Sequence, residues 1–212
     1  VRHIVKELRR EPVDVVQSSH FYTNIYASIA GLMNGIASIG AVRSDLAFEL
    51  ASNGIYGKYQ LKMPRHLIAN SKIAVERAVS LGIDRDRIDL VKNVVACGTQ
   101  QKDLDNCTAN PTRILFVGRL GEEKRPELFV KLAYELVNTL PDRQLKFQIV
   151  GDGPLRPKLE TLARGYGLAP DIFSLDGERS EMRDVYSLAD ILILTSKHEG
   201  TPNVVLEALS NS

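Results

Sequence analysis

The stretch Ala189-Asp-Ile-Leu-Ile-Leu-Thr-Ser196, followed by Glu199-Gly-Thr-Pro-Asn-Val-Val-Leu-Glu207-Ala-Leu-Ser-Asn-Ser212, reads as a strand that feeds a helix. The first run is short and apolar, the pattern of a buried strand, and the second opens with turn residues before its apolar positions fall at helical spacing. Thr201 is the expected N-cap and Pro202 the first helical residue, which leaves the backbone N–H groups of Asn203, Val204 and Val205 without partners inside the helix. In an open α/β sheet, ligands collect outside the carboxyl ends of the strands, and Glu199 falls there. Free N–H donors at a positive helix end attract phosphate. Glu207, on the same helix face as Asn203, can accept hydrogen bonds from a vicinal diol such as a ribose. The same spacing also suits a loop acid followed by an acid on a helix surface.

Working outward, the chain repeats this strand-then-helix step throughout. The patterns predict a helix over 2–10, a strand Val13 to Gln17, a helix Phe21 to Met33, a strand Ile36 to Val42 and an ambiguous helical stretch Leu46 to Leu61. A strand His66 to Ala69, a helix Ser71 to Leu81 and a strand Arg87 to Val91 follow. From Ala96 to Pro111 the composition turns polar and aperiodic, the signature of a domain boundary. Beyond it come strands Arg113 to Val117, Leu145 to Val150, Ile172 to Leu175 and Ile191 to Thr195. Helices Pro126 to Thr139, Leu155 to Tyr166, Glu181 to Ser187 and Pro202 to Leu209 alternate with them. Such alternation argues for parallel sheets in an α/β protein, here two doubly wound Rossmann-like domains, 1–110 and 111–212. No GxGxxG dinucleotide fingerprint accompanies them.

A second phosphate-type signal lies in Ile114-Leu-Phe-Val-Gly118-Arg-Leu-Gly-Glu-Glu-Lys124-Arg-Pro126. Here an apolar strand ends in glycine, and Arg119 and Lys124 follow at its carboxyl edge. A guanidinium fork and an ammonium point charge converging on one place can hold a diphosphate without a metal. A solvated basic loop would carry the same residues, and Arg125, just before Pro126, has water as its simplest partner. Gly151-Asp-Gly-Pro154 reads as strand-to-helix turn chemistry rather than catalysis.

Taken in order, Val117-Gly-Arg-Leu with Lys124-Arg-Pro126, Ile149-Val-Gly-Asp-Gly-Pro154, Leu188-Ala-Asp190 and the paired-Glu run Glu199 to Glu207 resemble the donor-binding half of glycosyltransferase family 4. The first half carries a looser likeness to the later part of the acceptor domain, through Val13-Asp-Val-Val-Gln-Ser-Ser-His20, Ala41-Val-Arg-Ser-Asp45, Leu67-Ile-Ala-Asn-Ser-Lys72 and Arg87-Ile-Asp-Leu-Val-Lys-Asn93. The resemblance implies the GT-B fold and transfer of a sugar from a UDP-sugar or GDP-sugar to an acceptor hydroxyl, with retention at the anomeric carbon and no metal or other cofactor. It implies that Arg119 and Lys124 hold the diphosphate, Glu199 faces the donor sugar, and Glu207 holds the ribose. Backbone groups from Gly200 through Thr201 and Asn203 to Val204 would reach phosphate or sugar. The Asp176-Gly-Glu-Arg179 turn, with Glu178 and Arg179, would lie near the base. His20 matches a position where these enzymes carry a His that faces the donor sugar, although a buried structural His fits the same neighbourhood. Arg43 would point toward acceptor or phosphate. A nucleotide-sugar epimerase of the same architecture, and a noncatalytic nucleotide-sugar-binding module, are the competing readings. Relative to the family pattern the opening strands of the first domain and the closing βα units of the second are not in the sequence, so both domains read as incomplete.

Composition agrees without adding specificity. The chain has 212 residues, 44% hydrophobic and 25% charged, as in an ordinary globular protein. The net charge of +1 divides unevenly: residues 1–95 carry 13 Lys and Arg against 9 acids, and residues 96–212 carry 14 against 17. The resemblance implies a glycan or lipid-linked acceptor and allows a peripheral membrane contact; the small basic excess of the first half would suit an anionic lipid surface or an acidic acceptor, but a solvated face explains it better. The basic helix over 2–10 is better explained by packing on a sheet than by a membrane. With 6% aromatic residues and no dense basic stripe, the sequence argues against nucleic acid as a partner. Cys97 and Cys107 have neither metal spacing nor paired His and read as free thiols of a reducing, cytoplasmic compartment, a local disulfide being the alternative, and the Asn106-Cys-Thr108 sequon carries no weight there. Asp84-Arg-Asp86 falls in a turn, where paired acids are ordinary.

Overall fold

The computed structural model of the chain describes residues 1–95 and 111–211. Cys97, Cys107, the Asn106 sequon and the boundary stretch from Ala96 to Asn110 lie outside those residues. Two compact units form, one from residues 1–93 with 198–201, the other from residues 94–197 with 202–212.

In the first unit the order is α1 (Arg2–Arg10), β1 (Val15–Gln17), α2 (Asn24–Asn34), β2 (Ala37–Val42), α3 (Leu46–Lys62), β3 (His66–Ala69), α4 (Lys72–Ser80) and β4 (Ile88–Leu90). The four strands pair in parallel in the order β1-β2-β3-β4, with Val15 opposite Ala37, Ile39 opposite His66 and Leu67 opposite Ile88. Val42, Leu67 and Ile88 from the sheet meet Leu46 and Leu61 of α3 and Ala78 of α4 in a core that excludes water. The helix expected over Phe21 to Met33 divides, because Phe21–Thr23 forms a 3-10 turn before α2 begins. The ambiguity over Leu46 to Leu61 has a cause in Gly54, whose φ of 53° and ψ of −133° interrupt α3 with a kink.

The second unit runs β5 (Thr112–Val117), α5 (Pro126–Thr139), β6 (Leu145–Val150), α6 (Arg156–Gly165), β7 (Phe173–Gly177), α7 (Met182–Leu188), β8 (Ile191–Leu192) and α8 (Asn203–Ser210). All pairs are parallel in the order β7-β6-β5-β8. Ile114, Leu115 and Phe116 of β5 are all buried, as a strand covered on both faces requires, which explains its continuous apolar run. Phe116, Phe129 and Phe147 form the centre of the core, with ring centroids 5.7 and 6.0 Å apart. The winding moves one way from β5 to β7 and then returns to place β8 on the far side of β5. The gap between the carboxyl ends of β5 and β8 is therefore a topological switch point, where doubly wound sheets bind ligands.

Three sequence expectations need correction here. The strand expected over Ile191 to Thr195 keeps only Ile191–Leu192, and Ile191 is 45% exposed rather than buried. Among the described residues this strand pairs only with β5, and the carbonyls of Thr195 and Ser196 turn away to an arginine described below. The Asp176-Gly177 pair belongs to β7 itself and not to the turn after it. Helix α8 starts at Asn203 with Pro202 in the N-cap position and no side-chain cap, so Thr201 does not cap it.

Candidate functional site

The carboxyl edge of the second sheet is built on close backbone approaches. Gly118 N donates to Val150 O at 3.0 Å and Gly151 N to Gly177 O at 2.8 Å, extending the sheet past its strands. Leu120 N then donates to Asp152 O at 2.9 Å, and Leu155 N to Leu120 O at 3.0 Å. A Cβ on Gly151 would stand 2.0 Å from Gly118 O, and the φ of 137° there is one that side-chain-bearing residues avoid. The Gly-Asp-Gly-Pro run is thus structural, because it allows two loops to meet without a side chain between them.

Above this floor lies a cavity of about 500 Å³ lined by Gly118, Arg119, Gly151, Gly153, Glu178, Arg179 and Met182 among others. Three of the candidate residues, Arg119, Glu178 and Arg179, are brought together here, all exposed. Asp176 stands behind them. Burial by itself would push its carboxyl up, but hydrogen bonds from Gln148, Ser174 and Arg179, with the Arg179 charge, outweigh burial and hold it below the usual carboxylate value. Gln148 Nε2 donates to Asp176 Oδ2 at 2.7 Å and Arg179 Nη2 donates to the same oxygen at 3.1 Å, so the guanidinium is tethered at the cavity rim. A cavity with two guanidinium groups, glycine backbone and one carboxylate can receive an anion and a polar planar ring.

Lys124 belongs to a second group in the same unit, at the switch point. Thr195 Oγ1 donates to Lys124 O at 2.7 Å, and Lys197 N donates to Glu123 O at 2.9 Å. Arg125, expected to face water, instead donates from Nε to Thr195 O at 2.8 Å. It does so from a left-handed backbone, φ 47° and ψ 52°, a conformation that costs a residue with a Cβ on the order of 1 kcal/mol. The side-chain bonds offset that cost and lock the loop after β5 to the loop after β8.

Helix α8 carries Asn203, Val204 and Glu207. The N–H of Val205 is not open, since it donates to Pro202 O at 3.2 Å. Glu207 is half-buried and accepts a hydrogen bond at Oε2 from the hydroxyl of Tyr186 in α7, at 2.7 Å. Tyr186 is 4% exposed and packs with Leu115 and Val150. Burial, then the hydrogen bond and charge of Glu207, push its phenol far above the usual range. Sequence reasoning passed over Tyr186 and Gln148, and it gave Arg125 only water. The signal for Tyr186 was present, a tyrosine one turn after Met182 on an apolar helix face, whose hydroxyl needs a partner when buried.

In the first unit, His20 is exposed rather than a buried structural residue. Its ring stacks on Tyr22 at 5.4 Å, while its backbone N–H donates to Thr23 Oγ1 at 3.3 Å and its carbonyl accepts from the same hydroxyl at 2.7 Å. Arg43 is exposed after β2, and its carbonyl accepts from Asn70 Nδ2 at 3.0 Å. Glu199, Gly200 and Thr201 lie in the short segment that clusters with this unit. Thr201 Oγ1 donates to Asn70 O at 2.9 Å, which is where the expected capping hydroxyl is engaged instead. A Cβ on Gly200 would fall 2.6 Å from Arg43 O, so that position admits no side chain without a shift. Among the described residues no group of three His, Cys, Asp or Glu side chains could hold a metal ion, and no helix is long and apolar enough to cross a membrane.

Comparison with known proteins adds relatives to this geometry. Residues 111–212 match the family model described as Glycosyl transferases group 1. Over 96 residues, 45% of this chain and 26% of the relative, the sequence is 36% identical to the GalNAc-alpha-(1->4)-GalNAc-alpha-(1->3)-diNAcBac-PP-undecaprenol alpha-1,4-N-acetyl-D-galactosaminyltransferase of Campylobacter jejuni. The UDP-Gal:alpha-D-GlcNAc-diphosphoundecaprenol alpha-1,3-galactosyltransferase of Escherichia coli is 25% identical over 231 residues, 98% of this chain and 58% of that protein. Among solved structures, Anabaena Alr3699/HepE in complex with UDP and glucose has a TM-score of 0.80 at 14% identity, over 99% of this chain and 60% of that one, a likeness of fold. The chain thus spans from about a quarter to three fifths of the length of these proteins.

Proposed function

We propose that this chain is part of a GT-B glycosyltransferase and that the whole protein moves a sugar from a nucleotide diphosphate donor to the hydroxyl of a glycan or lipid-linked acceptor, with retention at the anomeric carbon, as in glycosyltransferase family 4. One observation carries the reading: the 500 Å³ cavity at the carboxyl edge of the second sheet is lined by Arg119, Glu178 and Arg179, three residues that the family motifs assign to the donor.

In this reading the bond from C1 of the sugar to the phosphate oxygen breaks while a bond from C1 to the acceptor oxygen forms on the same face. The acceptor proton passes to the departing phosphate. Arg119 and Lys124 stabilise the negative charge that builds on the diphosphate, an electrostatic role that a metal fills elsewhere. Glu199 and His20 face the donor sugar, with the Glu199 carboxylate opposing positive charge at the anomeric centre. Gly200, Thr201 and the first residues of α8 meet sugar or phosphate, and Glu207 accepts from the ribose hydroxyls. The relatives named for undecaprenol-linked substrates support a lipid-linked acceptor, and the enzyme of this reading works in the cytoplasm against the membrane surface.

The test is sugar transfer by the full-length gene product, supplied with UDP- and GDP-sugars and a lipid-linked acceptor. Transfer with retained anomeric configuration, falling about 100-fold or more in Glu199→Gln, is expected for loss of a group that acts electrostatically at the reacting centre. Inversion of configuration, or epimerisation of the donor without transfer, contradicts the reading.

A further inference from the structure

We propose that Tyr186 is a positioning residue for the donor: by donating its hydroxyl hydrogen to Glu207 Oε2 at 2.7 Å, it presents the other carboxylate oxygen, Oε1, to a ribose diol. The inference rests on the reading above in which Glu207 meets the ribose, and it adds what makes that contact selective. A glutamate on a half-exposed helix face has several rotamers to choose from, and holding it in one of them before the ligand arrives removes an ordering cost from binding. Tyr186 supplies a fixed point for this. Its ring is 4% exposed and packed with Leu115 of β5 and Val150 of β6, so the hydroxyl cannot swing away with solvent.

Two further observations fit this role. Burial and the neighbouring carboxylate both disfavour the phenolate, which keeps the hydroxyl in the form that donates. Met182, one turn earlier on the same face of α7, lines the cavity that holds Arg119, Glu178 and Arg179. The hydrogen bond therefore ties the acid on α8 to the helix that forms the wall of that cavity. Among the described residues, the only side-chain partner of the Glu207 carboxylate is this hydroxyl, at Oε2, which leaves Oε1 to a ligand.

The experiment compares binding of UDP and GDP with their 2′-deoxy and 3′-deoxy counterparts by calorimetry, using the full-length protein, Tyr186→Phe and Glu207→Gln. Tyr186→Phe keeps the ring and removes only the hydroxyl. In the parent protein the deoxy nucleotides should bind about 10-fold more weakly, as expected for loss of one charge-assisted hydrogen bond. In Tyr186→Phe the ribonucleotide should weaken about 10-fold while the deoxy forms change less than 2-fold, with KM for the donor raised and kcat retained. Equal weakening of ribo and deoxy forms would mean that Tyr186 only joins two helices, and the proposal fails. Discrimination lost in Glu207→Gln but intact in Tyr186→Phe overturns the positioning role alone. A parent protein that does not distinguish ribose from deoxyribose removes the ribose contact and this inference together.

Discussion

Asn24 has no solvent-exposed surface, yet its amide makes four hydrogen bonds. Nδ2 donates to Ala41 O at 3.2 Å and Gln60 O at 3.1 Å, while Oδ1 accepts from Ala41 N at 2.9 Å and from the Ser18 hydroxyl. One side chain thus joins the segment after β1, the end of β2 and the end of α3, and two of these lead to His20 and Arg43. Replacing it with Ala strands an N–H, two carbonyls and a hydroxyl in the core, so Asn24→Ala should destabilise the protein by about 2–4 kcal/mol, read as a shift in urea midpoint at constant slope. A change under 0.5 kcal/mol would mean that water replaces the amide. Nothing local in the sequence reveals this residue, since an asparagine at the start of a helix is ordinary and its partners are 17 and 36 residues away. Glu199 and Glu207 could be singled out as candidates for the opposite reason, because both lie in one short contiguous run whose order and spacing can be read directly. That a buried Tyr186 hydroxyl needs a partner could be read too, but not that the partner is Glu207, which lies 21 residues on, across a loop.

At the scale of elements, the centres of strands and helices were legible and their ends were not. His66–Ala69, Pro126–Thr139 and Leu145–Val150 fall where hydrophobic periodicity sets them. The ends depend on tertiary hydrogen bonds instead: Thr201 leaves the cap position to bond Asn70 O, and Thr195 leaves the strand to bond the loop after β5. Helix α1 buries Val5 but packs chiefly on α2 rather than on the sheet that the sequence suggested, so it is not a free basic helix. Helix α3 presents another surface. After the Gly54 kink, Ile55, Tyr56 and Tyr59 are 71%, 64% and 53% exposed, and Lys58 and Lys62 flank them on one helical face. Residues 50–75 contain no acid. Exposed tyrosines beside lysines suit the headgroup region of an anionic bilayer, which makes α3 the element of choice for the peripheral contact proposed above. Lys58→Ala combined with Lys62→Ala should weaken flotation with phosphatidylglycerol vesicles roughly 30-fold, at about 1 kcal/mol per lysine, and leave binding to neutral vesicles unchanged. Unaltered flotation would remove α3 from the contact.

For the whole molecule, two parallel sheets follow from strand-helix alternation, and the order β7-β6-β5-β8 sets a switch point beside the loop that carries Arg119 and Lys124. The alternation was visible in the sequence, and the strand order was not, because short apolar strands do not encode which neighbour they pair with. The cavity was likewise hidden, since it gathers residues from the ends of β5, β6 and β7 that are far apart in the chain. What the sequence did carry was the chemistry, two cations after one strand and two carboxylates around one helix start. The proposed activity therefore requires a nucleotide-sugar site at this edge. It is tested by ligand-observed NMR titration of the full-length protein with UDP, GDP, their sugars and NAD, repeated with Arg119→Ala and Glu207→Gln. Saturable binding of one nucleotide-sugar, weakened about 10- to 150-fold in each variant, is the expected result, in line with roughly 1.5–3 kcal/mol for a charge-assisted contact. Binding that is indifferent to both substitutions, or confined to NAD, would contradict it.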